Sequence, residues 1–124
     1  MTDDNGQKRS LHWHCLDHEN SSQCSSECYL QKTFTLFGKK YVLQIIRLLL
    51  LNEHLRFNEI VEKISGSPKT ITDRLRELEM FGLVNRQQFN EMPIRVEYSL
   101  TELGKQLDTV FEQMSSWSRS MLSL

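Results

Sequence analysis

Apolar residues recur at helical spacing in the middle of the chain, between residues 67 and 84. Ser67 and Pro68 are typical of an N-cap and a first helical position, and Gly82 is typical of the residue just after a helix. Between these ends, one apolar stripe with helical periodicity is made by Ile71, Leu75 and Leu78. The pattern predicts a helix with one buried side and an outward polar side that begins at its N-terminus.

Two further helices are predicted before this one. Residues 41–51 are almost continuously apolar, which indicates a core helix buried on most sides. Asn58 suits the N-cap of a shorter helix, with Glu59 in its first turn and apolar residues on one side. Ser65 and Gly66 then interrupt the pattern before Ser67. Helix, short turn with glycine and second helix together predict a helix-turn-helix.

Strand-like patterns follow the last of these helices. Residues 83–89 and 94–100 are both predicted as strands, and residues 90–93 lie between them. In the second strand Val96, Tyr98 and Leu100 alternate with polar residues, as in a half-buried strand. A hairpin directly after a helix-turn-helix is typical of a wing, and Arg86 and Arg95 are the cations that it carries towards a phosphate or the minor groove.

The C-terminal part predicts a long helix over residues 101–122 with a heptad seam. Its apolar stripe is longer than a small winged domain needs for its own core, so we expect it to pair with a second copy. Apolar residues of a short N-terminal helix, Leu30, Phe34 and Phe37, are expected to join this interface. The seam consists of Leu103, Leu107, Val110, Met114, Trp117 and Met121.

These elements predict a mainly α fold with a small β-hairpin wing, a winged helix-turn-helix whose terminal helices form a dimer interface. The predicted organisation is a Cys/His-rich extension at 1–27 and one domain at 28–124. The net charge of −1 excludes a uniformly basic nucleic-acid binder, and only residues 29–66 are clearly net basic. No apolar run reaches membrane-spanning length and no signal peptide is recognisable, so we expect a cytoplasmic protein without a membrane partner.

The first 28 residues hold all three cysteines and three of the four histidines. Their spacing matches no standard zinc finger. Three interpretations stay open: a flexible tail with incidental thiols, a thiol switch, or a soft-metal site. The cluster consists of His12, His14, Cys15, His18, Cys24 and Cys28.

No set of side chains in the sequence indicates catalysis. There is no Ser/His/Asp set, no glycine-rich phosphate loop and no carboxylate pair in an apolar setting. We therefore expect neither an enzyme nor a bound cofactor.

Taken together, several segments resemble the HxlR family of winged-helix transcription regulators, relatives of the MarR group. They are FGKKYVLQIIRLLL, LRFNEI, SPKTITDRLRELEMFGLV and MPIRVEYSLTELGKQL. The resemblance implies a sequence-specific regulator that binds a palindromic operator in double-stranded DNA as a homodimer.

By this resemblance the DNA contacts of the family fall on Lys69, Thr70, Thr72, Asp73, Arg74, Arg76 and, in the wing, Arg95. Lys69 and Arg76 lie on the outward side, where they meet phosphate or guanine. Arg74 lies nearer the core, so we expect it to reach the backbone or pair internally. Asp73 repels phosphate and is expected either to orient an arginine or to accept from cytosine N4.

The family also has a cysteine before its first core helix that senses oxidants or electrophiles in several members, and Cys28 occupies that position. Proline usually follows that cysteine, whereas Tyr29 follows here. The alternative function is therefore a thiol-redox or metal sensor in which the N-terminal Cys/His segment controls operator affinity.

Overall fold

The computed structural model of the protein describes residues 28–122. Six helices and three strands are found in this part of the chain. In chain order they are α1 (Tyr29–Phe37), α2 (Val42–Leu51), β1 (Leu55–Arg56), α3 (Phe57–Ile64), α4 (Pro68–Met80), β2 (Val84–Phe89), β3 (Arg95–Leu100), α5 (Glu102–Lys105) and α6 (Leu107–Leu122). Within residues 28–122, no helix is long and apolar enough to cross a membrane.

The chain forms two compact units, Met1–Lys39 and Lys40–Leu124. In the first unit, α1 begins after Cys28 and ends at Gly38, close to the helical stretch that the sequence predicts. Leu36 is buried, whereas Phe34 is 58% exposed. The domain boundary at residue 28 stays a prediction, since the unit boundary follows α1 and does not precede it.

Helix α2 lies at the centre of the second unit, packed against β3 and α3. Its buried side consists of Val42, Ile45, Ile46 and Leu49, as the sequence predicts. The expected burial on most sides is met only in part, because Leu43, Leu48 and Leu50 are half-buried and Leu51 is 72% exposed. Packing against β3 and α3 covers one side of α2 and leaves apolar surface on the other.

Helix α3 begins two residues earlier than expected. The predicted cap, Asn58, lies inside the helix, and Arg56 holds the N-cap position. Glu59 accepts a hydrogen bond from the Arg56 backbone N–H at 3.0 Å, which satisfies one of the free donors at the helix start. At the other end, Ser65 adopts a left-handed conformation with φ of 57° and turns the chain towards α4.

The sheet has three antiparallel strands in the order β1, β3, β2. The sequence predicts the hairpin of β2 and β3, and the structure adds β1 on the other side of β3, with Leu55 opposite Tyr98. Val84 pairs with Leu100, so both point to the core. A strand of two residues is too short to show a periodicity, and its partner lies more than forty residues away in the chain. The sequence pattern therefore did not predict it.

The predicted single C-terminal helix is divided at Gln106. The Gln106 N–H bonds the Leu103 carbonyl at 3.2 Å, three residues back, so the regular helical ladder is interrupted. The first turn is instead fixed to the turn between α4 and β2 through Thr101, whose hydroxyl donates to the Gly82 carbonyl at 2.6 Å and accepts from the Gly104 N–H at 3.0 Å. The heptad spacing therefore spans two helices, α5 and α6.

Close packing at Gly104 gives a test of this junction. A Cβ atom there would press on the Leu83 carbonyl, which is backbone and cannot move aside. We expect Gly104→Ala to lower the free energy of unfolding by about 1–3 kcal/mol, despite the better helix propensity of alanine. Urea unfolding measures this effect, with the exposed neighbour Lys105→Ala as control. Equal unfolding midpoints in the two variants would contradict the packing.

Candidate nucleic-acid interface

Helix α4 has the buried and outward sides that the sequence predicts. Its N-cap is Ser67, whose hydroxyl oxygen accepts from the Thr70 backbone N–H at 3.5 Å. Ile71, Leu75 and Leu78 are at most 1% exposed. Packing of these three side chains fixes the rotation of α4 about its axis and so decides which residues face outward.

The outward side presents two cations and one carboxylate. Lys69, Asp73 and Arg76 are exposed and lie at spacings of four and three residues, which places them on one face. None of the three forms an ion pair with another residue in the range 28–122. Asp73 therefore orients no arginine in the free protein, and the prediction that remains for it is acceptance from cytosine N4.

The two threonines predicted to contact DNA are less exposed than the two cations and the carboxylate. Thr70 is half-buried, and its backbone N–H is used by the helix cap. Thr72 is half-buried as well, and its hydroxyl donates to the Pro68 carbonyl at 2.8 Å. Since the hydroxyl hydrogen of Thr72 is used within the helix, its oxygen is left as an acceptor and its methyl group as an apolar contact.

Arg74 is held inside the protein, as expected from its place near the core. Its Nε donates to the Lys40 carbonyl at 3.2 Å, and a terminal nitrogen donates to Glu77 at 2.7 Å. The side chain is 22% exposed. This bond joins α4 to the chain just before α2. Lys40 lies 34 residues away from Arg74, so no sequence pattern could have indicated this partner.

Arg95 is also engaged by residues of its own hairpin. Its guanidinium carbon lies 4.1 Å from the centre of the Phe89 ring, directly across the strand pair. A terminal nitrogen lies 3.1 Å from Glu91, another 3.8 Å from Glu97, and the side chain is 27% exposed. Its Nε is buried without a hydrogen-bond partner in the described part of the chain. Phe89 and Glu91 were not predicted as site residues, although the predicted hairpin brings the end of its first strand close to the start of its second.

Arg86, the other arginine of the wing, has fewer contacts than Arg95. Arg86 is exposed and makes one long hydrogen bond, 3.4 Å, to the Gln88 side chain on its own strand. It forms no ion pair with residues 28–122. Among the arginines of the wing, Arg86 is therefore the more accessible.

Most residues of the predicted dimer seam are exposed in the single chain. Trp117 is 63% exposed and Phe34 58%, while Leu30 and Leu107 are half-buried. No residue of α6 is buried. The remaining exposed members are Leu103, Val110, Met114 and Met121.

Cys28 is buried and disulfide-bonded. The rest of the predicted Cys/His cluster, His12, His14, Cys15, His18 and Cys24, lies outside the described residues. Within residues 28–122 no group of three or more potential ligand side chains is suited to hold a metal ion. The tail, switch and metal interpretations of the N-terminal segment all stay open.

The sequence profile of the HxlR-like helix-turn-helix family matches residues 36–124. The chain belongs to this family. It is 40% identical over 90 residues to the HTH-type transcriptional regulator YodB of Bacillus subtilis, covering 72% of this chain and 80% of that one. Resemblance to the HxlR family, inferred from four segments of the sequence, is thereby confirmed.

Solved structures of other regulators agree with the HxlR-like fold. The reduced form of YodB has a TM-score of 0.67 at 39% identity, covering 74% of this chain and 91% of that one. The redox regulator HypR in its oxidized form has a TM-score of 0.62 at 34% identity, covering 75% and 96%. A putative MarR-family regulator of Porphyromonas gingivalis W83 has a TM-score of 0.69 at 32% identity, covering 84% and 100%.

These relatives confirm the winged helix-turn-helix fold class and the MarR relationship. The HxlR-like protein is a transcriptional regulator of the helix-turn-helix type, and its relatives belong to a non-enzymatic class. Two of the similar structures, YodB and HypR, are described by their redox state.

The internal bonds of Arg74 give a prediction about stability. Arg74→Ala removes the hydrogen bond to the Lys40 carbonyl and the ion pair with Glu77, so we expect the free energy of unfolding to fall by about 1 kcal/mol or more. Arg76→Ala removes the same charge from the outward side of the same helix and should change it by less than about 0.5 kcal/mol. Urea unfolding of both variants is the measurement, and similar losses would contradict the anchoring role.

Proposed function

We propose that this HxlR-like regulator binds a palindromic operator as a homodimer, with α4 in the major groove. The observation that carries the proposal is the outward side of α4. Lys69, Asp73 and Arg76 project from the N-terminal two-thirds of a helix whose other side is fully buried. A recognition helix needs this arrangement, because its exposed residues reach base edges while its apolar side rests on the scaffold.

The chemistry of the outward residues assigns them different roles. Lys69 and Arg76 bind phosphate oxygens or the acceptor edge of guanine. Asp73 accepts from cytosine N4, because a carboxylate beside phosphates is costly unless a base donor meets it. Thr70 and Thr72 contact phosphate or a thymine methyl. Arg74 contributes by fixing α4 to the residues before α2.

The exposed seam supports the dimer. Five leucine, valine, methionine and tryptophan side chains of the seam on α5 and α6 are between 44% and 63% exposed, and such a stripe is costly unless another apolar surface covers it. An open groove between α2 and α6 adds apolar surface from Leu43, Leu50, Leu51 and Phe111. A second copy of the chain covers these residues, and two-fold symmetry then requires a palindromic operator.

A redox sensor is the second candidate function. The observation that favours it is the disulfide at Cys28, together with the similarity to regulators described as reduced or oxidized. In this proposal, oxidation and reduction at Cys28, immediately before α1, alter operator affinity. Control by a metal at the N-terminal Cys/His segment is the alternative signal.

Removal of both outward cations tests the DNA-binding proposal. A duplex is first selected from a random-sequence library by the native chain. We expect Lys69→Ala with Arg76→Ala to weaken binding to that duplex at least about thirtyfold, since two base or phosphate contacts are worth about 1–3 kcal/mol each. Lys105→Ala with Arg119→Ala removes the same charge from exposed positions on α5 and α6 and should have little effect. Fluorescence anisotropy measures affinity, and sedimentation shows whether all variants remain dimers. Unchanged binding by the first double variant rules out α4 as the recognition helix.

Substitution at Cys28 tests the sensor proposal. Diamide and dithiothreitol should give the native chain two operator affinities that differ about tenfold, a typical size for coupling between two states. Cys28→Ser should show one affinity in both reagents. The same titration with zinc in place of diamide separates a metal signal from a redox signal. Equal diamide responses in the native chain and the variant would exclude Cys28.

A further inference from the structure

The tip of the wing is closed by three side chains that contact each other. Phe89 and Arg95 are the last residues paired between β2 and β3, and they lie opposite each other. The Arg95 guanidinium lies over the Phe89 ring at 4.1 Å, and Glu91 in the connecting loop lies 3.1 Å from the same guanidinium. We call Phe89, Glu91 and Arg95 the wing clasp.

The geometry points to Arg95 as a positioning residue of the wing and not as its phosphate contact. The effect of this positioning on DNA binding rests on the proposed function, whereas the positioning itself does not. The Arg95 guanidinium already has an aromatic face on one side and carboxylates beside it, from Glu91 at 3.1 Å and Glu97 at 3.8 Å. A phosphate contact would have to replace these partners, whereas Arg86 is exposed and outside the clasp.

The charges of the wing tip support the same assignment. Two carboxylates, Glu91 and Glu97, flank the single guanidinium of Arg95, so the group as a whole does not attract phosphate. The planar guanidinium can stack on a ring and bind carboxylates at its edge at the same time. A lysine at this position keeps the charge and loses the stacking and the fork of donors. Charge and clasp can therefore be separated by one substitution.

The clasp acts on DNA binding through preorganisation. The Glu91 backbone N–H donates to the Phe89 carbonyl at 2.9 Å, so the loop leaves β2 in a tight turn beneath the guanidinium. A wing held in one shape before binding loses little conformational freedom when it meets DNA. A wing without the clasp must be ordered during binding, and the affinity falls accordingly.

The test measures the free protein first. Hydrogen exchange at the backbone amides of residues 89–92, 94 and 95 is compared among the native chain, Arg95→Lys, Arg95→Gln and Phe89→Leu. Arg86→Gln is the matched loss of a wing charge outside the clasp. We expect faster exchange in the three clasp variants and native exchange in Arg86→Gln. Exchange in α2 and α4 reports whether each variant retains the rest of the fold. Native exchange at the wing in Arg95→Lys and Phe89→Leu would overturn the clasp.

Binding to the selected duplex then separates positioning from contact. A positioning role predicts that Arg95→Lys and Arg95→Gln weaken binding equally, about five- to tenfold, because both lose the clasp. A phosphate contact predicts near-native binding for Arg95→Lys, and for Arg95→Gln a salt dependence lower by about one released counterion. That second outcome, or native affinity in variants whose wing exchanges faster, overturns the positioning role. If the native chain selects no duplex, the proposed function fails while the exchange data still decide the clasp.

Discussion

Ile71, Leu75 and Leu78 lose nearly all their solvent exposure when α4 packs, and their burial is the constraint on which the candidate interface depends. Each buried side chain of this size stabilises the fold by about 1.5–3 kcal/mol. A rotation of α4 by one residue, about 100°, would expose the stripe, so the outward side is fixed as firmly as the core. The bond from Arg74 to the Lys40 carbonyl secures one edge of the same helix to the chain before α2.

Because the rotation of α4 about its axis is fixed, the weak positive charge of its outward side limits how strongly it attracts DNA. Lys69 and Arg76 are accompanied by Asp73, and the wing cation Arg95 is surrounded by carboxylates. A surface with this balance gains little from general attraction to the phosphate backbone. On the proposed function, affinity then depends on base contacts made by two copies together, since two modest half-sites that are joined bind far more tightly than either alone.

The packing of α2 and α6 leaves apolar surface uncovered in the single chain. Helix α2 gives one side to the core and keeps Leu51 exposed, and α6 buries no residue. Thr101 and Gly104 fix the turn before α6 to the turn between α4 and β2. This attachment holds the start of the exposed seam, which includes Met114 and Trp117, in a defined position. A seam attached in this way is suited to hold two DNA-binding units at a fixed spacing, as the proposed dimer requires.

The sequence by itself determined the elements whose signals are local. Ser67, the apolar stripe of α4 and the alternation in β3 predicted their elements because neighbours along the chain decide caps and periodicity. Contacts between distant residues were decided only by the tertiary structure. The third strand at Leu55, the break at Gln106 and the Lys40 partner of Arg74 depend on segments that meet only after folding. Arg95 shows the difference most directly: its place in the hairpin was predictable, whereas its engagement by Phe89 and Glu91 required side chains packed in three dimensions.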